Sequence, residues 1–101
     1  MLFRSEAYTN LGNVLKALNN DTGAIDAYQH AVSINPQLSD ACYNLAIMRQ
    51  ARGEVAPAIA LYRQAVAADS QHVASWDSLY RALLGQDQHE AAMEADRKSV
   101  V

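Results

Sequence analysis

Shifted against itself by 34 positions, the chain places Leu11 on Leu45 and Leu79, and Ala24 on Ala58 and Ala92. Tyr28 falls on Tyr62 and Ala31 on Ala65, while Tyr8, Cys42 and Trp76 share a further column. A short period of this kind constrains the fold strongly. Each unit is too small to bury a core alone, so neighbouring units must stack and share one. Units of about 5–38, 39–72 and 73–101 account for nearly all 101 residues as a single domain over 1–101.

Within the first unit, Tyr8, Leu11, Leu15 and Leu18 recur at helical spacing. Ile25, Tyr28 and Val32, with Ala24 and Ala31 one step off, mark one face of a second helix. Asn19 to Gly23 reads as the turn between them, with Asp21 or Thr22 placed to cap the second helix. Pro36 blocks further helix, and Ser39 is placed to cap the next one. The second unit turns at Arg52-Gly53-Glu54 and sets Pro57 in a first helical turn, where its missing N–H costs little. A third turn is expected around Gly85 to His89. Small residues at Gly12, Ala46, Ala24, Ala58 and Ala92 mark close approach of paired helices, since a helical glycine costs ~1 kcal/mol against alanine and needs a packing reason. Tyr28 and Tyr62 are the large side chains expected to fill the space between units, each worth roughly 1.5–3 kcal/mol when buried.

The order Tyr8, Leu11-Gly12, Leu15, Ala24, Tyr28, Ala31 and Pro36 resembles the tetratricopeptide (TPR) repeat. The second unit keeps Leu45, Ala46, Gly53, Ala58, Tyr62 and Ala65, but has Arg49 at a usually apolar position and Ser70 in place of proline. The third keeps Trp76, Leu79, Leu83 and Ala92, then departs at Asp96 and Ser99. The resemblance implies an all-α fold, a right-handed α-solenoid of antiparallel helix pairs with about three units, the last truncated. It also implies that the first helix of each unit lines a concave groove. The groove positions are then Glu6, Thr9, Asn10, Asn13 and Lys16, followed by Asp40, Tyr43, Asn44, Ile47 and Gln50, and by Asp77, Ser78, Arg81 and Leu84. Asn13 and Asn44 can grip a peptide backbone through both donor and acceptor, and Tyr43 and Ile47 add apolar contact.

A non-catalytic module binding a protein or peptide segment in that groove is the leading expectation. One TPR subclass clamps chaperone C-terminal carboxylates with two asparagines and three basic residues. Asn13 and Asn44 match its amides, but the basic positions fall on Thr9, Ala74 and Ser78, which disfavours that ligand. Lys16 and Arg81 offer an acidic ligand only weak attraction. Leu-Gly-Asn-Val-Leu-Lys-Ala-Leu and Ala-Cys-Tyr-Asn-Leu-Ala also look like repeats preceding bacterial glycosyltransferases related to protein O-GlcNAc transfer. In that alternative, Asn10, Asn13 and Asn44 would hold an acceptor chain. End-to-end self-association of exposed repeat ends is a third reading.

The ends suggest a different origin. Leu2-Phe3-Arg4-Ser5 can be encoded by CTC TTC CGA TCT, and the reverse complement of that DNA, read from its second base, encodes Asp-Arg-Lys. The chain closes on Asp96-Arg97-Lys98-Ser99-Val100-Val101. Such inverted flanks resemble a sequencing adapter. On that expectation residues 2–5 and 96–101 are adapter translation, and Glu6 to Ala95 is a fragment of a longer, bacterial array.

Composition narrows the chemistry. A formal net charge of −3 gives no basic footprint for nucleic acid, and no apolar run approaches the ~20 residues that span a bilayer. Without a basic segment leading into an apolar one near Met1, and with one cysteine, a cytoplasmic setting is expected. His89-Glu90-Ala91-Ala92-Met93 begins like a helical zinc-protease motif but has Met93 at the second histidine position. His30 and His72 lack partners at ligand spacing, and Cys42, in the Tyr8 and Trp76 column, reads as a packing thiol. Neither a catalytic set, a metal nor a cofactor is expected.

Overall fold

The computed structural model describes the backbone of residues 2–99, and the side-chain surroundings of all of these except 2–3, 89–93 and 96–99. Five α-helices follow one another with no strand among the described residues: α1 (Leu2–Ala17), α2 (Asp21–Ile34), α3 (Ser39–Ala51), α4 (Val55–Ala68) and α5 (Val73–Ser99). α1 packs on α2 and α3 on α4 as hairpins, with α2 against α3 and α4 against α5 joining the units. This is an α-solenoid of antiparallel pairs. Its extents of 59 × 29 × 18 Å and radius of gyration of 15.8 Å exceed the ~13 Å of a compact chain this long.

The two hairpin turns share one chemistry. Asn19 (φ 63°) and Gly53 (φ 81°) occupy the same column and supply the left-handed residue that stops each first helix. In the first turn, the N–H groups of Asn20 and Asn19 donate to the carbonyls of Leu15 and Lys16, at 2.8 and 3.0 Å. In the second, Glu54 and Gly53 donate likewise to Arg49 and Gln50, at 3.0 and 2.9 Å. The cap of α2 is Asn20, whose Oδ1 accepts from the Gly23 N–H at 3.0 Å, rather than Asp21 or Thr22. Ser39 is not a cap either: it is the first residue of α3, and Leu38 ahead of it makes no side-chain capping bond. Between units, Asn35 and Asp69 accept from the backbone N–H two residues on, at 3.1 and 3.0 Å. That shared turn explains why Ser70 can replace Pro36 in its column.

The third turn expected at Gly85–His89 is absent, and α5 runs through it as one helix. The column that holds Asn19 and Gly53 holds Asp87, and among the described residues Asp87 does not enter the left-handed region. Gly85 adopts no positive φ and breaks nothing. The unfolded-back arrangement leaves Trp76 and Tyr80 exposed, although Cys42 and Ala46 in the same columns are fully buried under α4. Trp76 instead donates its indole N–H to the Ser70 carbonyl at 2.8 Å. Ala92 belongs to the side chains outside the described residues.

At the opposite end, Leu11 and Leu18, expected on the buried face, are 46 and 70 % exposed. Leu45, one period on from Leu11, is fully buried because α2 covers it. Among the described residues no helix covers that face of α1 in the same way.

The core lies between these ends, around Tyr28, Cys42 and Leu45 in one cluster and Ala58, Tyr62 and Leu79 in the next. Gly12 is the tightest point. A Cβ there would come within 2.6 Å of Tyr28 Cε1 and 2.7 Å of Cδ1. Gly12→Ala should therefore lose roughly 1–3 kcal/mol to overpacking, outweighing the ~1 kcal/mol alanine gains in a helix. Gly85→Ala, with nothing near its Cβ, should gain up to ~1 kcal/mol. Denaturant midpoints that moved the same way for both would contradict this packing.

Candidate functional site: a cleft lined by first helices

The first helices of successive units face one concave side. Glu6, Thr9, Asn10 and Asn13 of α1 and Asp40, Tyr43 and Asn44 of α3 line a cleft of about 520 Å³, with Leu38, His72 and Ala74 completing it. Seven of the groove positions named above thus share one space. Not all present a free group: the Thr9 hydroxyl donates to the Ser5 carbonyl of its own helix at 2.9 Å.

The other groove positions lie elsewhere. Lys16 and Ile47 line a second depression of about 380 Å³ between the first hairpin turn and the end of α3. Gln50 accepts the Tyr62 hydroxyl at 2.7 Å, and Ser78 lies outside the lining of both depressions. Asp77 and Arg81 pair with each other one turn apart on the exposed face of α5, at 3.3 Å, and Leu84 is exposed beyond them.

The asparagines are tied into the core. Tyr28, fully buried beneath Gly12, donates its hydroxyl to Asn13 Oδ1 at 2.5 Å. Asn44 Nδ2 donates to the same oxygen at 3.4 Å, joining the two units across the cleft floor. Asn13 Nδ2 and Asn44 Oδ1 have no partner among the described residues, which leaves an amide NH2 and an amide carbonyl free on two residues that line the cleft.

The cleft's far wall is a contact that sequence spacing did not reveal. His72 Nε2 lies 2.8 Å from Asp40 Oδ1, and its Nδ1 lies 2.7 Å from Ser75 Oγ and accepts the Ser75 backbone N–H at 3.3 Å. The imidazole thereby bridges Asp40 of α3 and Ser75 of α5. Tyr43 packs against the imidazole with ring centroids 5.3 Å apart. Aspartate, histidine and serine in a chain are the residue types of a hydrolytic relay. Here Ser75 is fully buried, so its hydroxyl is beyond the reach of a substrate. The relay fastens the α4–α5 loop to α3. The only sequence signal for it was Ser75 standing where Ala7 and Ala41 occupy the earlier units.

Arg49 is likewise explained. Its guanidinium bridges Glu54 at 3.2 Å and Gln29 of the preceding unit at 3.3 Å, so a charge at that column becomes an inter-unit contact. No cluster of three metal-ligating side chains and no helix long and apolar enough to cross a membrane occurs among the described residues.

Comparison with known proteins agrees with this geometry. Tetratricopeptide repeat models match residues 5–38 and 41–74. The chain belongs to the tetratricopeptide repeat family. Two crystal structures of MamA superpose with a TM-score of 0.78, at 26 and 27 % identity, covering 99 and 96 % of this chain. The chain spans only 58 and 53 % of those MamA chains. The second TPR of Spaghetti (RPAP3), solved with the HSP90 peptide SRMEEVD, also reaches a TM-score of 0.78 over 90 % of this chain and 84 % of its own, at 14 % identity, and so shares the fold. No protein of curated function matches the sequence. As a TPR array, the chain is a protein–protein interaction module.

Burial sets the titration of the core. It pushes the Cys42 thiol up from 9.0 to about 11, against a smaller opposing backbone hydrogen bond, and it raises the Tyr28 and Tyr62 hydroxyls as well. Groups whose folded values lie above their unfolded ones contribute stability that is complete below the unfolded value and lost as pH climbs through the folded one. The denaturation midpoint should therefore hold to about pH 9 and fall towards about pH 11, with Cys42 supplying roughly 1–2 kcal/mol of the loss. Cys42→Ala should flatten that part of the slope, and an identical slope in the variant would show the thiol to be solvated.

Proposed function

We propose that the cleft between α1 and α3 holds an extended segment of a partner protein, and that the chain acts by binding it rather than by transforming it. The observation that carries this is the Asn13–Asn44 pair, which turns one free amide donor and one free acceptor towards the same space. An extended peptide offers a complementary carbonyl and N–H at every residue. Tyr28 holds Asn13 in place from below, so little side-chain freedom is lost when a ligand arrives. Tyr43 adds a half-buried aromatic wall. The second TPR of Spaghetti (RPAP3), which shares the fold, supports peptide capture by such an array.

Random nine-residue peptides displayed on phage and selected on the chain should yield binders that Asn44→Ala weakens about 2- to 13-fold, the worth of one hydrogen bond. Asn44 is the residue to vary because Asn13 also supports Tyr28. Binders indifferent to Asn44, or no binders at all, would contradict the reading.

Self-association has its own observation. Leu11, Val14 and Leu18 form an exposed apolar row at one end of the solenoid, and Trp76 and Tyr80 are bare towards the other. Stacking of one copy's first end on another's last would extend the array. Light scattering should show a mass rising above 11.0 kDa with concentration, and Leu18→Glu should abolish the rise. A concentration-independent monomer would exclude it.

A further inference from the structure

The cleft carries charge of one sign only. Glu6 and Asp40 lie one period apart in the same column, both line the cleft, and both are exposed. Ala74 continues that column without charge. Among the described residues no lysine or arginine lines the space: Lys16 belongs to the second depression, Arg49 is paired with Glu54, and Arg81 is paired with Asp77. His72 meets Asp40 through one carboxylate oxygen, with Nε2 2.8 Å from Oδ1. Asp40 keeps 74 % of its side chain exposed, so its second oxygen is open to a ligand.

Two carboxylates therefore flank an amide pair that has a free donor and a free acceptor. We infer that the cleft selects a peptide segment carrying a lysine or arginine side chain, with the backbone at Asn13 and Asn44 and the cation between Glu6 and Asp40. This rests on the peptide reading above and sharpens it to a ligand class. A carboxylate-rich segment would meet two like charges and no cation to offset them. The peptide SRMEEVD held by the second TPR of Spaghetti (RPAP3) sets one arginine against three acidic side chains, so its net charge is of the disfavoured sign.

The displayed-peptide selection reads this directly. Among binders that depend on Asn44, lysine or arginine should be enriched at one fixed position. Replacing it by glutamine in a synthetic copy should weaken binding roughly five-fold, and raising salt should remove most of that difference. Asp40→Asn keeps an oxygen for His72 Nε2 and should reduce the preference for the lysine peptide over its glutamine copy. Glu6→Gln should act in the same way. Binders that need Asn44 but show no cationic position would overturn the charge inference and leave peptide binding standing. Enrichment of acidic C-terminal peptides would overturn it as well. Binders that ignore Asn44 would overturn both.

Discussion

The structure depends on one seating: the Tyr28 ring pressed onto the bare backbone of Gly12. Any side chain at Gly12 would occupy the ring's place, so the closeness of α1 to α2 and the depth of Tyr28 are one fact. Full burial would strand the hydroxyl, and Asn13, on the turn after Gly12, accepts it. Asn13 then receives Asn44 from the next unit. A single residue thus belongs to the core of one hairpin, the joint between two and the floor of the cleft. The second unit solves the same problem differently. Ile47 stands in the Asn13 column and cannot accept, so the Tyr62 hydroxyl turns to Gln50. That substitution moves a polar group out of the groove and into the packing, and the cleft accordingly centres on the first two units.

A repeat fold is only as regular as its neighbours make it. Leu45 and Leu11 are the same residue in the same column, yet one is buried and the other nearly half exposed, because α2 of the neighbouring unit covers Leu45 and no described helix covers Leu11 in that way. α5 shows the converse. Its first half packs on α4 as α3 packs on α2, but without a left-handed residue at Asp87 the chain has no inexpensive way to reverse. Helix continuation satisfies every backbone group locally, whereas folding back would have to offset the strain of that turn by covering Trp76 and Tyr80. The ends of the solenoid are therefore where its apolar surface collects.

Most of the architecture was legible in the sequence because it is periodic. Columns of leucine, alanine and tyrosine at one spacing specify which faces pack, and the small residue opposite each tyrosine specifies how closely. What could not be read was where individual polar atoms are spent. Thr9 looks like a groove hydroxyl, but a helical threonine can bond its own carbonyl four residues back, and this one does. Asp21 and Thr22 are good caps in isolation; Asn20 wins because the left-handed Asn19 places it at the non-helical boundary. His72 seemed unpartnered since Asp40 is 32 residues away in sequence, and only stacking of the second and third units brings them together. Periodicity reports the faces of helices, while hydrogen bonds depend on the rotation and stagger between them.

The same distinction governs recognition. An amide pair in a TPR groove is compatible with any extended chain, because every peptide backbone presents the same donors and acceptors. Discrimination must come from what surrounds the pair. Where cations surround it, a carboxylate terminus is neutralised as it binds. Here the equivalent positions are Thr9, whose hydroxyl is spent internally, Ala74 and Ser78. The charges that remain at the cleft are the carboxylates of Glu6 and Asp40, and the His72 imidazole is held between Asp40 and Ser75, a residue that is alanine in either other unit. Ser75 therefore shapes the groove without touching it. By holding His72 against Asp40 from behind, one buried hydroxyl helps fix where that carboxylate stands on the wall of the cleft.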